Sequence, residues 1–436
     1  MSRNHTAVRR YLSELESCRP LAEHARQTAP RTAGQLAKLP TYNYDKSPEP
    51  YGHTARRAFL RAHGHELPHL TGTTPDCTEQ LRGNIENFIG MAQIPVGLAG
   101  PLLVNGTEAQ GDFLIPLATT EGTLVASYNR GMKACREAGG ISSVCLMQGV
   151  QRSPFFKFRN IGEAGQFVQW VHDQLPVFHR LVAKSSRHAQ LHNLDTNMEG
   201  NSVILTFEYG TGDAAGQNMV TVCTDRICRF IVEHSPFMPG EWYLESNYSG
   251  DKKATALSFS AVRGKKMTSE VLLPESVVRR VLKTTPEAMA RYWQASTLSV
   301  VQSGAIGAQG HIANGLTALF IACGQDVACI SESSIGLTRM ELNDAGDLYV
   351  AVTLPSLIVG TVGGGTGLPT QRECLELMDC YGVGKARKLA EICCAVALAG
   401  ELSIAAALAE GHFCGAHERL GRKPAELRSN RPARGF

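Results

Sequence analysis

A chain of 436 residues is long enough for about two or three domains. It is 43% hydrophobic and 19% charged, the composition of a globular protein. A net charge of +3 is too small to point to nucleic acid or to an anionic membrane surface.

The N-terminus, MSRNHTAVRRYLSELESCRP, has no apolar core after its basic start, so no signal peptide is expected. Residues 1–80 read as a polar, helical domain with loop chemistry at DKSPEPYG (45–52). IPVGLAGPLLVNG (94–106) reads as a strand broken by Gly and Pro. In PLATTEGTLVASYNRGMKACREAGG (116–140) a strand end feeds a helix, with Thr119 or Thr120 as N-cap and Gly139-Gly140 as stop. An amphipathic helix (163–175), an alternating strand (201–210), a glycine turn and a second helix follow, a compact α+β module set inside a larger domain. After residue 254 strands, long helices and Gly-rich turns alternate. The apolar run 392–409 contains Gly400 and Glu401 and reads as a buried core helix, not a membrane span. The thirteen cysteines show no C-x-x-C spacing and read as reduced core thiols.

Several motifs have two readings each. HELPH (65–69) has the spacing of a zinc-protease helix, but Pro68 breaks the helix that would align both histidines. The turn Gly210-x-Gly212-x-x-x-Gly216 suits phosphate cradling at a helix start, and equally a tight strand–helix turn, with Asp213 as a cap. Ser186, Arg187 and His188 suit a phosphate monoester or a solvated loop. GTVGGGTGLP (360–369) lacks the Lys-Ser/Thr of a Walker A loop. Glu121 would complement a helix dipole in a first turn, whereas Asp326 opposes one after the helix of HIANGLTALFIAC. Asp251, Lys252 and Lys253 form what is by default a solvated charge cluster. GHFCGAH (411–417) does not have metal-ligand spacing, and no metal is expected.

Taken in order, ENFIGMAQIPVGLAGPL, TTEGTLVASYNRG, GDAAGQNM, DKK, HIANGLTALFIACGQD, TLPSLIVGTVGGGTGLP and AGELSIAAALAEGHFCGAH resemble the 3-hydroxy-3-methylglutaryl-coenzyme A (HMG-CoA) reductase family. The Asp-Lys-Lys form is similar to the class I enzymes, in a soluble form without membrane anchor. The resemblance implies an α+β / α/β fold. A helical N-terminal domain (1–80) precedes a large α/β domain (81–152 and 254–420) around a long central helix. A ferredoxin-like NADP-binding domain is inserted at 153–242, residues 243–253 form a connecting catalytic loop, and 421–436 form a flexible tail. It also implies two hydride transfers from NADPH that convert HMG-CoA to mevalonate and free CoA. A cytoplasmic homodimer or homotetramer is implied, its active site at the subunit interface, with neither membrane nor nucleic acid as partner.

The family's roles map onto this chain residue by residue. Lys252 would stabilise the oxyanion, Glu121 would protonate the aldehyde oxygen, Asp326 would support both, and His417 would protonate the CoA thiolate. Glu121 and Asp326 would titrate as a coupled cluster. Arg152, Asn247, Asp251, Lys253 and Asn314 match the acyl pocket; Glu86 and Asn87 match the CoA side. Ser186 and Arg187 match contacts to the 2′-phosphate, and Asp213, Gly216, Gln217, Asn218, Thr361, Gly363, Gly364 and Gly365 match the nucleotide-facing turns.

Four departures stand out. Gln217 replaces a methionine and His188 a phenylalanine, both expected to alter cofactor packing. Lys423 stands where animal members carry a regulatory serine. Glu245 stands where class I members usually have serine, an acid facing an acid. Either Glu245 points away, or the chain is a paralogue that reduces a different acyl thioester with the same residues.

Overall fold

The computed structural model describes residues 83–411, together with Leu81 and the single positions 16, 20, 54, 58, 61 and 62. The expectations for a helical domain over 1–80, for HELPH, for GHFCGAH after Gly411 with its His417, and for the tail lie outside the described residues. The chain divides into one unit of residues 1–74 and 86–91 and another of 75–85 and 92–436. The elements below belong to the second.

β1 (Val96–Gly106) and β2 (Gln110–Ala118) pair antiparallel, with a register shift between Ala99 and Leu102, at the Gly-Pro step that interrupts the apolar run. Helix α1 (Leu124–Glu137) follows, and Gly139 and Gly140 end it with φ of 99° and 100°. Its N-cap is Thr123, in the left-handed region, not Thr119 or Thr120. The Thr119 hydroxyl instead accepts from the Glu121 N–H at 3.0 Å, a local turn that keeps Glu121 outside the helix. β3 (Ile141–Arg152) is long enough to serve two sheets.

β4 (Phe155–Lys157), α2 (Ile161–Asp173), α3 (Leu175–Ser185), β5 (Gln190–Glu199), β6 (Ser202–Gly210), α4 (Gln217–His234) and β7 (Glu241–Tyr243) build the inserted module. Its strands run β7-β4-β6-β5, antiparallel throughout, the ferredoxin-like order. The Asn160 side chain caps α2 by accepting from the Glu163 N–H at 2.9 Å. Alternating residues of β6 and one face each of α2, α3 and α4 close a separate core around Phe156, Phe167, Phe178, Phe207 and Tyr209.

β8 (Gly264–Leu273), α5 (Pro286–Ser303), α6 (Ile312–Ala322), β9 (Leu337–Leu342), β10 (Leu348–Leu357), α7 (Pro369–Leu377) and α8 (Ala386–Ala409) complete the larger part. Its sheet runs β2-β1-β3-β8-β10-β9, with β1 and β3 parallel. α8 is buried without a break from Leu389 to Ser403. Among the described residues it is the one helix long and apolar enough to cross a membrane, and here α1, α5, α6, β3, β8 and β10 surround it. Close helix packing depends on small residues. A side chain at Gly131 of α1 would strike the backbone of Ala399, and one at Gly315 or Gly400 would strike the Tyr128 ring. The ten cysteines among the described residues are free thiols, most of them buried.

α8 carries two buried carboxylates. Glu391 accepts from the backbone N–H groups of Thr107, Glu108 and Ala109 at 3.1, 2.9 and 2.7 Å, and from the Thr107 hydroxyl. Glu401 accepts from the N–H groups of Gly310 and His311, both at 2.7 Å, and from the Thr338 hydroxyl. The long helix thus fixes the β1–β2 turn and the start of α6.

Candidate active site

The loop between β7 and β8 bends sharply, and Lys252 itself takes a left-handed φ of 55°. That conformation costs a non-glycine residue about 1–3 kcal/mol and persists only where surroundings enforce it. Here Glu332 accepts from the Lys252 N–H at 3.1 Å. The Lys252 ammonium then reaches Asp326, Nζ to Oδ2, at 2.8 Å. Both side chains remain close to half exposed. The hydrogen bond to Asp326 raises the Lys252 pKa above its ordinary value, so the group stays cationic. Partial burial pushes Asp326 up, but Lys252 and the Ala328 N–H outweigh it and hold the carboxyl low. Asp326 also accepts from Ala328 N as cap of a short turn, so it is a helix-starting acid rather than one opposing the dipole of α6.

Of the expected solvated charge cluster, Lys252 and Lys253 are exposed, but Asp251 is not. Asp251 is drawn inward between two buried guanidiniums, Arg263 Nη2 at 2.6 Å and Arg152 Nη1 at 3.2 Å. Lys253 turns back onto the Asp251 carbonyl at 2.9 Å. Glu245 does not point away: its Oε2 lies 3.2 Å from the same Arg152 Nη1 and 3.3 Å from the Ser153 N–H. The Gln217 side chain also joins this cluster. Its amide oxygen accepts from Arg263 at 3.0 Å and Arg152 at 3.5 Å. Glu332, fully buried, lies 3.7 Å from Arg263 Nε, and burial pushes its carboxyl up to about 7 against the pull of Arg263 and the Lys252 N–H. Among the described residues, every buried side-chain polar atom without a hydrogen bond belongs to Gln151, Arg152, Gln217, Glu245, Ser249, Arg263 or Glu332. Buried polar groups are rarely left so, and their concentration in one place marks a built polar site.

Glu121 lies elsewhere. It accepts from the Asn314 amide at 2.9 Å at the mouth of an open pocket of about 440 Å³, lined also by Thr119, Leu124, Thr317 and Ile321. Asn314 is in the first turn of α6, whereas Asp326 follows its last turn. The 11 residues of α6 span about 16 Å at about 1.5 Å each. One chain therefore keeps Glu121–Asn314 and Lys252–Asp326 at opposite ends of a helix, and no hydrogen bond or ion pair joins them among the described residues. The expected coupling of Glu121 with Asp326 has no contact to carry it within the chain.

The glycine turn before α4 packs against the loop after β10. The Asp213 carbonyl accepts from Thr361 N at 2.9 Å, and a side chain at Gly360 would strike Ala215 N. The Asp213 carboxylate does not cap its own helix; it accepts from Gly384 N at 2.8 Å and Ala386 N at 3.1 Å, at the start of α8. Thr361 is buried, its hydroxyl donating to the Gly382 carbonyl. Gly216, Gly363 and Gly364 have positive φ, and the space beside the last two is open. Asn218 is exposed at the start of α4. The Ser186 hydroxyl accepts from the His188 and Ala189 N–H groups at 3.1 Å, which leaves the Arg187 guanidinium exposed and without an ion-pair partner among the described residues. Asn247 is exposed with φ of 66°; Glu86 and Asn87 are exposed residues of the other unit. Arg263 and Glu332 are the functional-looking residues that sequence reasoning missed. Arg263 just before the strand Gly264–Leu273, and a Glu in a Ser-rich turn, were the available signals.

A family model described as hydroxymethylglutaryl-coenzyme A reductase matches residues 53–422. A 3-hydroxy-3-methylglutaryl-coenzyme A reductase of Pyrococcus abyssi is 43% identical over 375 residues, 84% of this chain and 91% of that protein. One of Aeropyrum pernix is 44% identical over 376 residues, covering 84% and 89%. The class II enzyme of Streptococcus pneumoniae, solved bound to NADPH in open conformations, superposes with a TM-score of 0.61 over 82% of this chain and 98% of that one. At 19% identity that last likeness speaks for the fold.

Proposed function

The chain belongs to the hydroxymethylglutaryl-coenzyme A reductase family, and from that premise we propose how its own residues reduce HMG-CoA to mevalonate and CoA. The observation that carries the proposal is Lys252, held cationic by Asp326 at 2.8 Å on a strained and accessible loop. NADPH supplies the hydride in each of the two reductions. The chain's residues fit such a phosphorylated nucleotide: Arg187 is exposed without an acidic partner, Gly363 and Gly364 leave open backbone, and Gly216 brings no capping side chain to the first-turn N–H groups of α4.

In the first reduction Lys252 stabilises the oxyanion that forms as the thioester carbonyl carbon accepts hydride. The thiohemiacetal then collapses to mevaldehyde, and His417 gives its proton to the departing CoA thiolate, which prevents re-addition. In the second reduction Lys252 again meets the developing alkoxide, and Glu121 delivers the proton that completes the alcohol. Two protons and two NADPH are consumed per mevalonate. Asp326 keeps Lys252 charged and aimed throughout.

Glu121 and Lys252 act on one substrate, yet one chain separates them by the length of α6. We infer that the active site is completed by a second copy of the chain, in a homodimer or homotetramer. Val96 and Leu98, each 55% exposed on one face of β1 beside the end of β2 that leads to Glu121, offer apolar surface for that contact. Free thiols and a coenzyme A substrate fit a reducing, cytoplasmic setting.

The direct test supplies HMG-CoA with NADPH and NADH in parallel. Two NADPH oxidised per mevalonate formed is expected; no mevalonate with either nucleotide would refute the reading. The shared site is tested by mixing. Lys252→Ala and Glu121→Gln are each inactive alone, but an equimolar reassembled mixture regains about a quarter of wild-type activity, because half the dimers are mixed and each of those holds one intact site. A mixture as inactive as its components would place both residues in one chain's site.

A further inference from the structure

We propose that Glu332 is a positioning residue for Lys252, fixing its main chain while Asp326 fixes its ammonium. The proposal rests on the reading above that Lys252 meets the developing oxyanion. Asp326 and Glu332 belong to one compact segment, built of the short helical turns Val327–Cys329 and Ile330–Ser333. At its start Asp326 Oδ2 holds Lys252 Nζ at 2.8 Å. Near its end Glu332 Oε1 accepts from the Lys252 N–H at 3.1 Å. One segment thus grips the lysine at both ends. The segment is itself tied to the sheet: the buried Ser333 hydroxyl accepts from the Ile358 N–H at 3.1 Å, just past β10.

Lys252 takes a left-handed φ of 55°, a conformation a lysine leaves when nothing enforces it. Once released, its stem would carry the ammonium off the line to the reacting carbonyl, where small displacements are costly. Glu332 is wholly buried, and its pairing with Arg263 does not explain it. Arg263 Nε stands 3.7 Å away, beyond hydrogen-bond reach. The other nitrogens of that guanidinium are taken up by Asp251, Gln217 and the Gln151 carbonyl, at 2.6, 3.0 and 3.0 Å. Glu332 Oε2 has no hydrogen bond. A carboxyl kept for stability alone would be better satisfied. A proton on Oε2 leaves Oε1 able to accept from Lys252, and the amide of a glutamine could do the same.

The test measures kcat, both KM values and the primary deuterium isotope effect, with NADPH labelled at the transferred hydrogen, in wild type, Glu332→Gln and Glu332→Leu. Leucine removes the acceptor, and kcat is expected to fall about tenfold or more. The loss should be equal with HMG-CoA and with mevaldehyde, because Lys252 serves both reductions. KM for HMG-CoA and for NADPH should stay within about twofold, and the isotope effect should rise as hydride transfer comes to limit turnover. Glutamine keeps the acceptor and should hold kcat within about threefold of wild type. An unchanged kcat in the leucine variant, a loss carried by KM, or a glutamine variant as impaired as the leucine one overturns the proposal. Wild type supplies a check that needs no variant: the Lys252 amide, though its residue is exposed, should exchange its hydrogen slowly. Exchange at the rate of a free amide overturns the proposal as well. Those results leave wild-type turnover of HMG-CoA intact, whereas failure of the functional reading would appear as no turnover at all.

Discussion

Glu391 and Glu332 are both wholly buried, yet the chain treats them in opposite ways. Glu391 receives three backbone N–H groups and a hydroxyl, and both of its oxygens are satisfied. Glu332 receives one backbone N–H at 3.1 Å, stands 3.7 Å from Arg263, and keeps one oxygen unpaired. The first is a structural carboxylate, saturated by the turn it organises. The second belongs to the cluster around Arg152 and Arg263, where hydrogen bonding within the chain is incomplete. Burial alone does not tell these two carboxylates apart; the completeness of their hydrogen bonding does.

That contrast can be broken or sharpened by experiment. Glu391→Ala strands the N–H groups of Thr107, Glu108 and Ala109 and should cost about 3–5 kcal/mol of stability, read from urea or thermal unfolding. A loss below about 1 kcal/mol would show that water replaces the carboxylate and that Glu391 is not a structural anchor. For Glu332, burial raises the carboxyl from 4.5 to about 7, so the folded chain keeps a proton that the unfolded chain has lost. Stability therefore falls as pH rises between those values, by up to about 3 kcal/mol. Glu332→Gln should flatten that window in unfolding midpoints compared at pH 5 and pH 7; equal slopes would mean that Glu332 is already ionised in the fold. Glu401→Gln keeps one acceptor oxygen for three donors and should cost about 1–2 kcal/mol by the same assay. Gln217→Leu removes an amide that is itself half unpaired, and stability should move by less than about 1 kcal/mol. A loss as large as that of Glu391→Ala would make the cluster structural after all.

The long-period features were legible in the sequence. The apolar run ending at 409, the helix after His311, the alternating strand ending at Gly210 and the inserted α+β module each carry their signal in local periodicity, and each is present. Contacts between distant segments were not legible. The Asp213 carboxylate looked like the cap of its own turn but reaches Gly384 and Ala386, more than 170 residues away. Asp251 looked solvated because two lysines follow it, while the arginines that bury it come from the end of β3 and the residue just before β8. Glu121 looked like a first-turn acid because Thr119 and Thr120 are good caps; the left-handed Thr123 moved the helix start past it. For Glu245 the sequence posed the right question, and only the position of Arg152 could answer it.

The central helix also imposes an order on biosynthesis. Among the described residues, the elements that pack on α8 (α1, β1, β3, β8, α5, α6 and β10) all precede it in the chain. As these leave the ribosome, their apolar faces have no centre to close upon until residues 386–409 follow. The inserted module, whose core residues all lie between Val150 and Ile231, has no such wait. Nascent chains should thus pass through a stage with one finished module beside a hollow shell, the stage at which chaperones matter most and at which α8, still bare, is as attractive to a lipid bilayer as to its own fold.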